Sequence, residues 1–124
     1  MIKHEAKFLG DYIQGQFLRT ERPDGQFKDI SPADLNDVVM NIEYCWEHVD
    51  RAVESARKAY LPWARLSQDE RRNYLLRLKE MFDTHAEKMA EAISRDTGKP
   101  LWEGLTEAKA LSNKIDITLN FSSK

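Results

Sequence analysis

The spacing of apolar positions changes period once along the chain. In the first third, apolar residues come in short runs. "GDYIQGQFL" sets Tyr12, Gln14 and Gln16 against Ile13, Gly15 and Phe17, an alternation around a central glycine. "VVMNIEY", Val38 to Tyr44, is a second run of β-branched and aromatic residues. Such runs, separated by turn residues, predict strands. The turns are "RPDGQ" and "SPADLND", rich in Pro, Asp and Gly or Asn. Two or three short antiparallel strands are expected over about residues 8–44. A lone hairpin is barely stable in water, so these strands need a surface to pack on.

From Trp46 onward the period is helical. Val49, Ala52, Val53, Ala56, Ala59 and Tyr60 share one face. Pro62 is expected to end or interrupt that helix, because it lacks an N–H and restricts Leu61. "SQDE" then reads as a capping box, Ser67 with Glu70, ahead of a stripe of Tyr74, Leu75, Leu78, Met81 and Phe82. "THAE" reads as a second box, Thr84 with Glu87, ahead of Ala86, Met89, Ala90 and Ile93. Gly98 suits the left-handed end of that helix and Pro100 the opening of the next. The last stripe is Leu101, Leu105, Ala108, Ser112, Ile115 and Leu119, and no Gly or Pro follows it. The predicted fold is an α+β fragment: short N-terminal antiparallel strands, then about four amphipathic helices over about residues 46–122. Each stripe is wide enough to bury against a neighbour. Nothing stops the last helix, so the structure is expected to continue past the chain.

Composition narrows the function classes. A chain of 124 residues holds one modest core. Lys and Arg number 19 against 21 Asp and Glu, a net charge of -2, with no strongly basic half. That argues against a nucleic-acid footprint. There is no apolar run long enough to span a membrane and no apolar signal core at the N-terminus. A single cysteine, Cys45, excludes an internal disulfide and fits a reducing cytoplasm.

Candidate chemistry fails on inspection. The Gly-Lys of "SRDTGKPLWEG" is not a phosphate loop: Ile93 stands where such a loop needs its first glycine, and Pro100 where it needs Ser or Thr. The glycines at 10, 15, 25, 98 and 104 form no G-x-G-x-x-G. Cys45 has His48 three residues on, but Glu43, Glu47 and Asp50 surround it, where a reactive thiolate needs positive charge. A small buried hydrophobe at a strand-to-helix junction is the favoured reading. His4, His48 and His85 are too far apart for local metal ligation, and the last two read as helix-surface residues. "YLPWARL" reads as aromatic packing at a helix break, and "QDERRNYLLRLKE" as a solvated face.

The ordered series of motifs resembles the N-terminal region of the aldehyde dehydrogenase superfamily over residues 8 to 120. The matching positions are Asp50, Ala52, Val53, Ala56, Trp63, Leu66, Glu70, Arg71, Thr97, Gly98, Lys99 and Pro100. Gln14 and Phe17 replace the common Asn and Trp of the opening strands, and Ser31-Pro32 replaces Asn-Pro. After Trp102, the helix with Glu107, Ala108, Ala110, Asn113, Lys114, Ile115 and Ile117 is most similar to the succinylglutamate-semialdehyde dehydrogenase branch.

The resemblance implies oxidation of an aldehyde to its acid with NAD or NADP, in amino-acid catabolism. In that superfamily a cysteine nucleophile forms a thiohemiacetal, an Asn and backbone N–H groups stabilise the oxyanion, hydride passes to the nicotinamide, and a Glu activates the deacylating water. Those residues lie further along a chain several times this length. No catalytic or cofactor-binding residue is therefore carried over, and Cys45 does not correspond to the nucleophile. Some members bind a monovalent cation; the matching positions here are Asp29, Ile30 and Asp96, the last with a rival reading as a surface residue near a helix end.

The expected protein is a single truncated N-terminal segment, residues 1–124, of a cytoplasmic aldehyde dehydrogenase. Alone it is expected to be inactive and to bind no NAD. Its partners would be the rest of the enzyme chain or a homo-oligomer, with no nucleic acid and no membrane. The rival is a stand-alone helical module that pairs with an aldehyde dehydrogenase or another protein. A nucleic-acid-binding regulator is disfavoured by the near-neutral charge.

Overall fold

The computed structural model describes residues 7–121, so His4 lies outside the described residues. Four strands precede four helices: β1 Asp11–Ile13, β2 Gln16–Leu18, β3 Gly25–Ile30, β4 Val38–Tyr44, α1 Trp46–Arg65, α2 Gln68–Thr84, α3 Ala86–Thr97 and α4 Leu101–Phe121. The strands form two separate antiparallel pairs, β1 with β2 and β3 with β4. The α+β architecture agrees with the sequence pattern, but the strand count does not. β3 was not expected, because Gly25 and Gln26 read as turn residues. They instead open a strand whose pairing runs from Gly25 opposite Tyr44 to Ile30 opposite Val38.

The β1–β2 turn is built from Gln14 and Gly15, both at positive φ, 55° and 80°. Two such residues make the primed turn that matches the twist of a two-residue hairpin. Tyr12 faces Phe17 across the pair, with ring centroids 5.0 Å apart. In the second pair Asp29 is opposite Met40 and Ile30 opposite Val38, which leaves Val39 as the extra residue of a bulge. Val39 is buried, so the bulge turns one apolar side chain inward.

Several helix boundaries need correction. α1 runs through Pro62 to Arg65. Only one backbone donor is lost there, close to the helix end, and Leu66 stops the helix in extended conformation with its N–H bonded to the Trp63 carbonyl. The Ser67–Glu70 capping box forms as expected: Glu70 N–H donates to Ser67 Oγ at 3.2 Å, and Ser67 N–H donates to Glu70 Oε2 at 2.8 Å. The second box does not form. Thr84 is still helical, and its hydroxyl donates back to the Glu80 carbonyl at 2.8 Å. His85 alone joins α2 to α3, half-buried, with Nδ1 donating to the Met81 carbonyl at 2.9 Å. Gly98 ends α3 at φ 74°, its N–H bonded to the Ser94 carbonyl. Pro100 accepts the first bonds of α4, from Glu103 and Gly104.

The tightest packing is α3 on α4. Gly104 lies so close to α3 that a Cβ there would sit 2.6 Å from the Ala90 carbonyl oxygen. Ala90 is buried there, and Ala108, Ser112 and Ile115 are buried further along α4. α2 lies beside α4, where Lys79 reaches Asp116 at 3.1 Å and Ser112 Oγ at 3.3 Å. Lys79 therefore belongs to the α2–α4 contact, within a charge run that otherwise read as solvated. At the α1–α2 junction Trp63 packs on Tyr74, centroids 5.5 Å apart, with Arg77 over the Tyr74 ring. The helix-break aromatics thus pack as expected. The stripe of α1 does not: Val49, Val53 and Tyr60 are exposed.

Candidate functional site

The expected cation residues gather where the β3–β4 hairpin meets the C-terminal end of α3. Three local features build this corner. The bulge after Asp29 bends the hairpin. The loop that follows, Ser31 to Asp37, closes on itself: Ser31 N–H donates to the Asp37 carbonyl at 3.0 Å, and Asp37 N–H to the Asp34 carbonyl at 2.8 Å. Gly98 then lets α3 end against that loop, with Pro32 and Ala33 where a side chain would stand.

A buried ion pair locks the two elements together. Arg95 Nε and an Arg95 terminal nitrogen donate to the two Asp37 carboxylate oxygens at 3.0 and 2.9 Å, with both side chains buried. The fork geometry satisfies both partners at once, which a buried charge requires. Sequence reading missed both residues. The available signal was an arginine next to the buried Ser94 of the α3 face, set against an acidic turn.

Asp29 and Asp96 flank this pair. The Asp29 carboxyl is held above the ordinary carboxylate range, first by partial burial, then by the charge of Asp96 and a hydrogen bond with it; Arg95 opposes the shift. Two carboxylates this close favour a shared proton or a shared cation over two full charges. Asp96 itself is exposed and Ile30 is an exposed strand residue, able to offer only its carbonyl. Among the described residues no group of three or more His, Cys, Asp or Glu side chains is placed to hold a metal ion.

Cys45 occupies the expected junction between β4 and α1 and is half-buried. His48 is not a surface residue. It is buried, and its Nδ1 donates to Asp11 Oδ2 at 2.6 Å, tying β1 to the first turn of α1. The helix pattern placed His48 beside the apolar stripe, but only the return of β1 against α1 covers it. Asp24, read as a turn residue, accepts from the Trp46 N–H at 2.7 Å and so caps α1 from a distance in sequence. Lys99 pairs with Glu107 across the α3–α4 turn, which raises its pKa above the ordinary lysine value.

The T-G-K-P corner, the hairpin before it and the helix after it follow the order of one enzyme class. The chain belongs to the aldehyde dehydrogenase family: the model described as "Aldehyde dehydrogenase family" matches residues 18–124. It is similar to the N-succinylglutamate 5-semialdehyde dehydrogenase of Paraburkholderia xenovorans (strain LB400), 45% identical over 73 residues, which is 59% of this chain and 15% of that protein. The protein of the same name from Chromohalobacter salexigens is 45% identical over 71 residues, 57% of this chain and 14% of that one. The one from Vibrio cholerae serotype O1 is 41% identical over 73 residues, 59% of this chain and 15% of that one. The matched stretch is thus a small part of the length of these relatives. No helix among the described residues is long and apolar enough to cross a membrane.

Proposed function

We propose that this chain is the N-terminal portion of an NAD(P)-dependent aldehyde dehydrogenase that oxidises N-succinylglutamate 5-semialdehyde, or a related acidic aldehyde, to the acid. The observation that carries the reading is the family match over residues 18–124 together with 41–45% identity to enzymes of that name. NAD(P) would accept the hydride in the complete enzyme. The 124 residues form one segment of that enzyme and supply structure, not the reacting groups. In support, the sequence holds no G-x-G-x-x-G, and its one cysteine, Cys45, starts α1 beside a His48 already engaged by Asp11. The corner of Asp29, Ile30 and Asp96 is the proposed monovalent-cation position, supported by the raised Asp29 pKa beside Asp96. The setting proposed is cytoplasmic, within a homo-oligomer of the complete chain.

The test is turnover. The purified chain, given the semialdehyde and either nicotinamide cofactor, is expected to form no reduced cofactor. Steady aldehyde-dependent reduction by this chain alone would overturn the proposed division of labour. Separately, titration with potassium chloride against an equal concentration of a tetraalkylammonium salt is expected to raise the unfolding midpoint, and Asp29→Asn to abolish that difference. Equal midpoints in the two salts would remove the cation position.

A further inference from the structure

We infer that Cys45 is a covalent modification site, with His48 as its base and Asp11 holding that base, and that it takes neutral α,β-unsaturated carbonyl compounds with an apolar body. The inference goes beyond the proposed function, in which this cysteine takes no part in the oxidation.

Two elements bring the three side chains together. Cys45 is the N-cap of α1 and His48 its third residue. Those two positions are the ones whose side chains meet in a capping box, so thiol and imidazole are neighbours. The His48 N–H donates to the Cys45 carbonyl at 3.1 Å, and the thiol makes no capping bond of its own. His48 is only 7% exposed. Its Nδ1 donates to Asp11 Oδ2 at 2.6 Å, which fixes the ring and leaves Nε2 as the basic nitrogen. Nε2 has no hydrogen-bond partner among the described residues, and no unpartnered nitrogen there is sealed from solvent, so Nε2 keeps an open approach. A nucleophile, a base and a group that orients the base thus stand in one place.

The acidic neighbours that weigh against a thiolate in the sequence are turned elsewhere by the fold. Glu43 is bound by Arg19 at 2.8 Å. Glu47 and Asp50 are exposed and line no part of the groove at this site. The sulfur lies at the N-terminal end of a 20-residue helix, the end that favours an anion.

The groove selects the reagent. Cys45 and His48 both line about 390 Å³ of space between β1 and α1, the size of a small-molecule site. The other walls include Tyr12, Ile13, Tyr44, Trp46 and Val49. Tyr44 and Trp46 meet edge to face with ring centroids 5.4 Å apart, which fixes the aromatic wall. No lysine or arginine among the described residues lines the groove, so an anionic reagent finds no partner in it.

The step balances without a co-reactant. The thiol proton passes to His48 Nε2, and the sulfur adds to the β-carbon of the conjugated double bond. The C=C π pair moves onto the α-carbon and carbonyl as an enolate, and His48 returns the proton to the α-carbon. A C–S and a C–H bond form, an S–H and a π bond break, and nothing is oxidised or reduced. Asp11 stabilises the imidazolium between the two transfers.

The experiment uses N-phenylmaleimide, a neutral conjugated carbonyl compound with an aromatic body. Cys45 is the single cysteine of the chain, so adduct mass followed over time reports on this thiol. With each rate scaled to that of glutathione in the same solution, the native chain is expected to react about tenfold faster than the chain unfolded in urea. Iodoacetate, an anion, is expected to show a smaller ratio. His48→Gln is expected to bring the maleimide ratio close to one. Asp11→Asn keeps an oxygen that accepts from Nδ1 but removes the charge behind the imidazolium, and is expected to retain the fold and slow the reaction about tenfold. Circular dichroism shows which variants stay folded, and Asp11→Asn decides alone if His48→Gln does not. Equal native and urea rates would overturn the inference, as would an unchanged rate in either folded variant. A ratio for iodoacetate equal to that for the maleimide would overturn the reagent class.

Discussion

α1 and α4 are almost equal in length, 20 and 21 residues, yet they meet opposite environments. α1 carries the larger apolar side chains on the cleaner stripe, and that stripe is exposed. α4 buries a modest face of Gly104, Ala108, Ser112 and Ile115. Gly104 lets α4 approach the α3 backbone at Ala90, where dispersion and excluded water hold the two helices together. The lesson is that amphipathicity reports what a helix is built to cover, whereas burial reports what is there to cover it. In this molecule the two differ, and they differ by region: the corner of β3, β4, α3 and α4 is complete, and the outer face of α1 is open.

The contrast is most sharply broken at the Arg95–Asp37 pair. Asp37→Ala leaves the guanidinium buried beside an emptied site, and urea unfolding should show a loss of about 3–5 kcal/mol. A loss below about 1 kcal/mol would mean that the corner is not the stable half. Gly104→Ala comes next. Its new methyl would meet the Ala90 carbonyl 2.6 Å away, and pushing α3 and α4 apart should cost about 1–3 kcal/mol. Loss of the Ser67 cap by Ser67→Ala should cost about 1 kcal/mol, since α2 then has an unsatisfied N–H at its first turn. At the open end of the scale, Val49→Ser should shift stability by less than about 0.5 kcal/mol, as at an ordinary surface position.

The smallest effect is a pH slope. Asp29 has a raised pKa in the folded state, so the native protein binds more protons than the unfolded one between the ordinary carboxylate value and the raised one. Stability should therefore fall as pH rises through that window and level off above it. Glu70 has the opposite sign: its hydrogen bonds to Ser67 lower its pKa, and its contribution is present above the ordinary glutamate value and lost on acidification through the lowered one. Asp29→Asn should remove the first slope and leave the second, as read by unfolding midpoints across the acid range.

Much of this was legible in the sequence where the signal is local. The β4 run, the Ser67–Glu70 box and the Gly98 turn each depend on residues a few positions apart, and each is where the pattern put it. What failed depends on distance. Pro62 tolerates a helix when it falls near the end, so its meaning hung on where α1 stopped. His48 is buried only because Asp11, 37 positions earlier, comes back to it. Arg95 and Asp37 are 58 positions apart, and neither residue type advertises a buried partner. Asp29 and Asp96 were carried over from a resemblance, and their proximity came from the fold. The α1 stripe read as wide enough to bury against a neighbour, and only the fold shows that it stays open.

Native-state hydrogen exchange on residues 1–124 tests the central contrast most directly. Amides of α4 from Ala108 to Ile115 should open only with global unfolding, and those of α1 from Val49 to Tyr60 through local events of near-zero free energy. If the α1 amides share the protection and denaturant dependence of α4, the face is not open, and the account of a complete corner beside an uncovered helix is wrong.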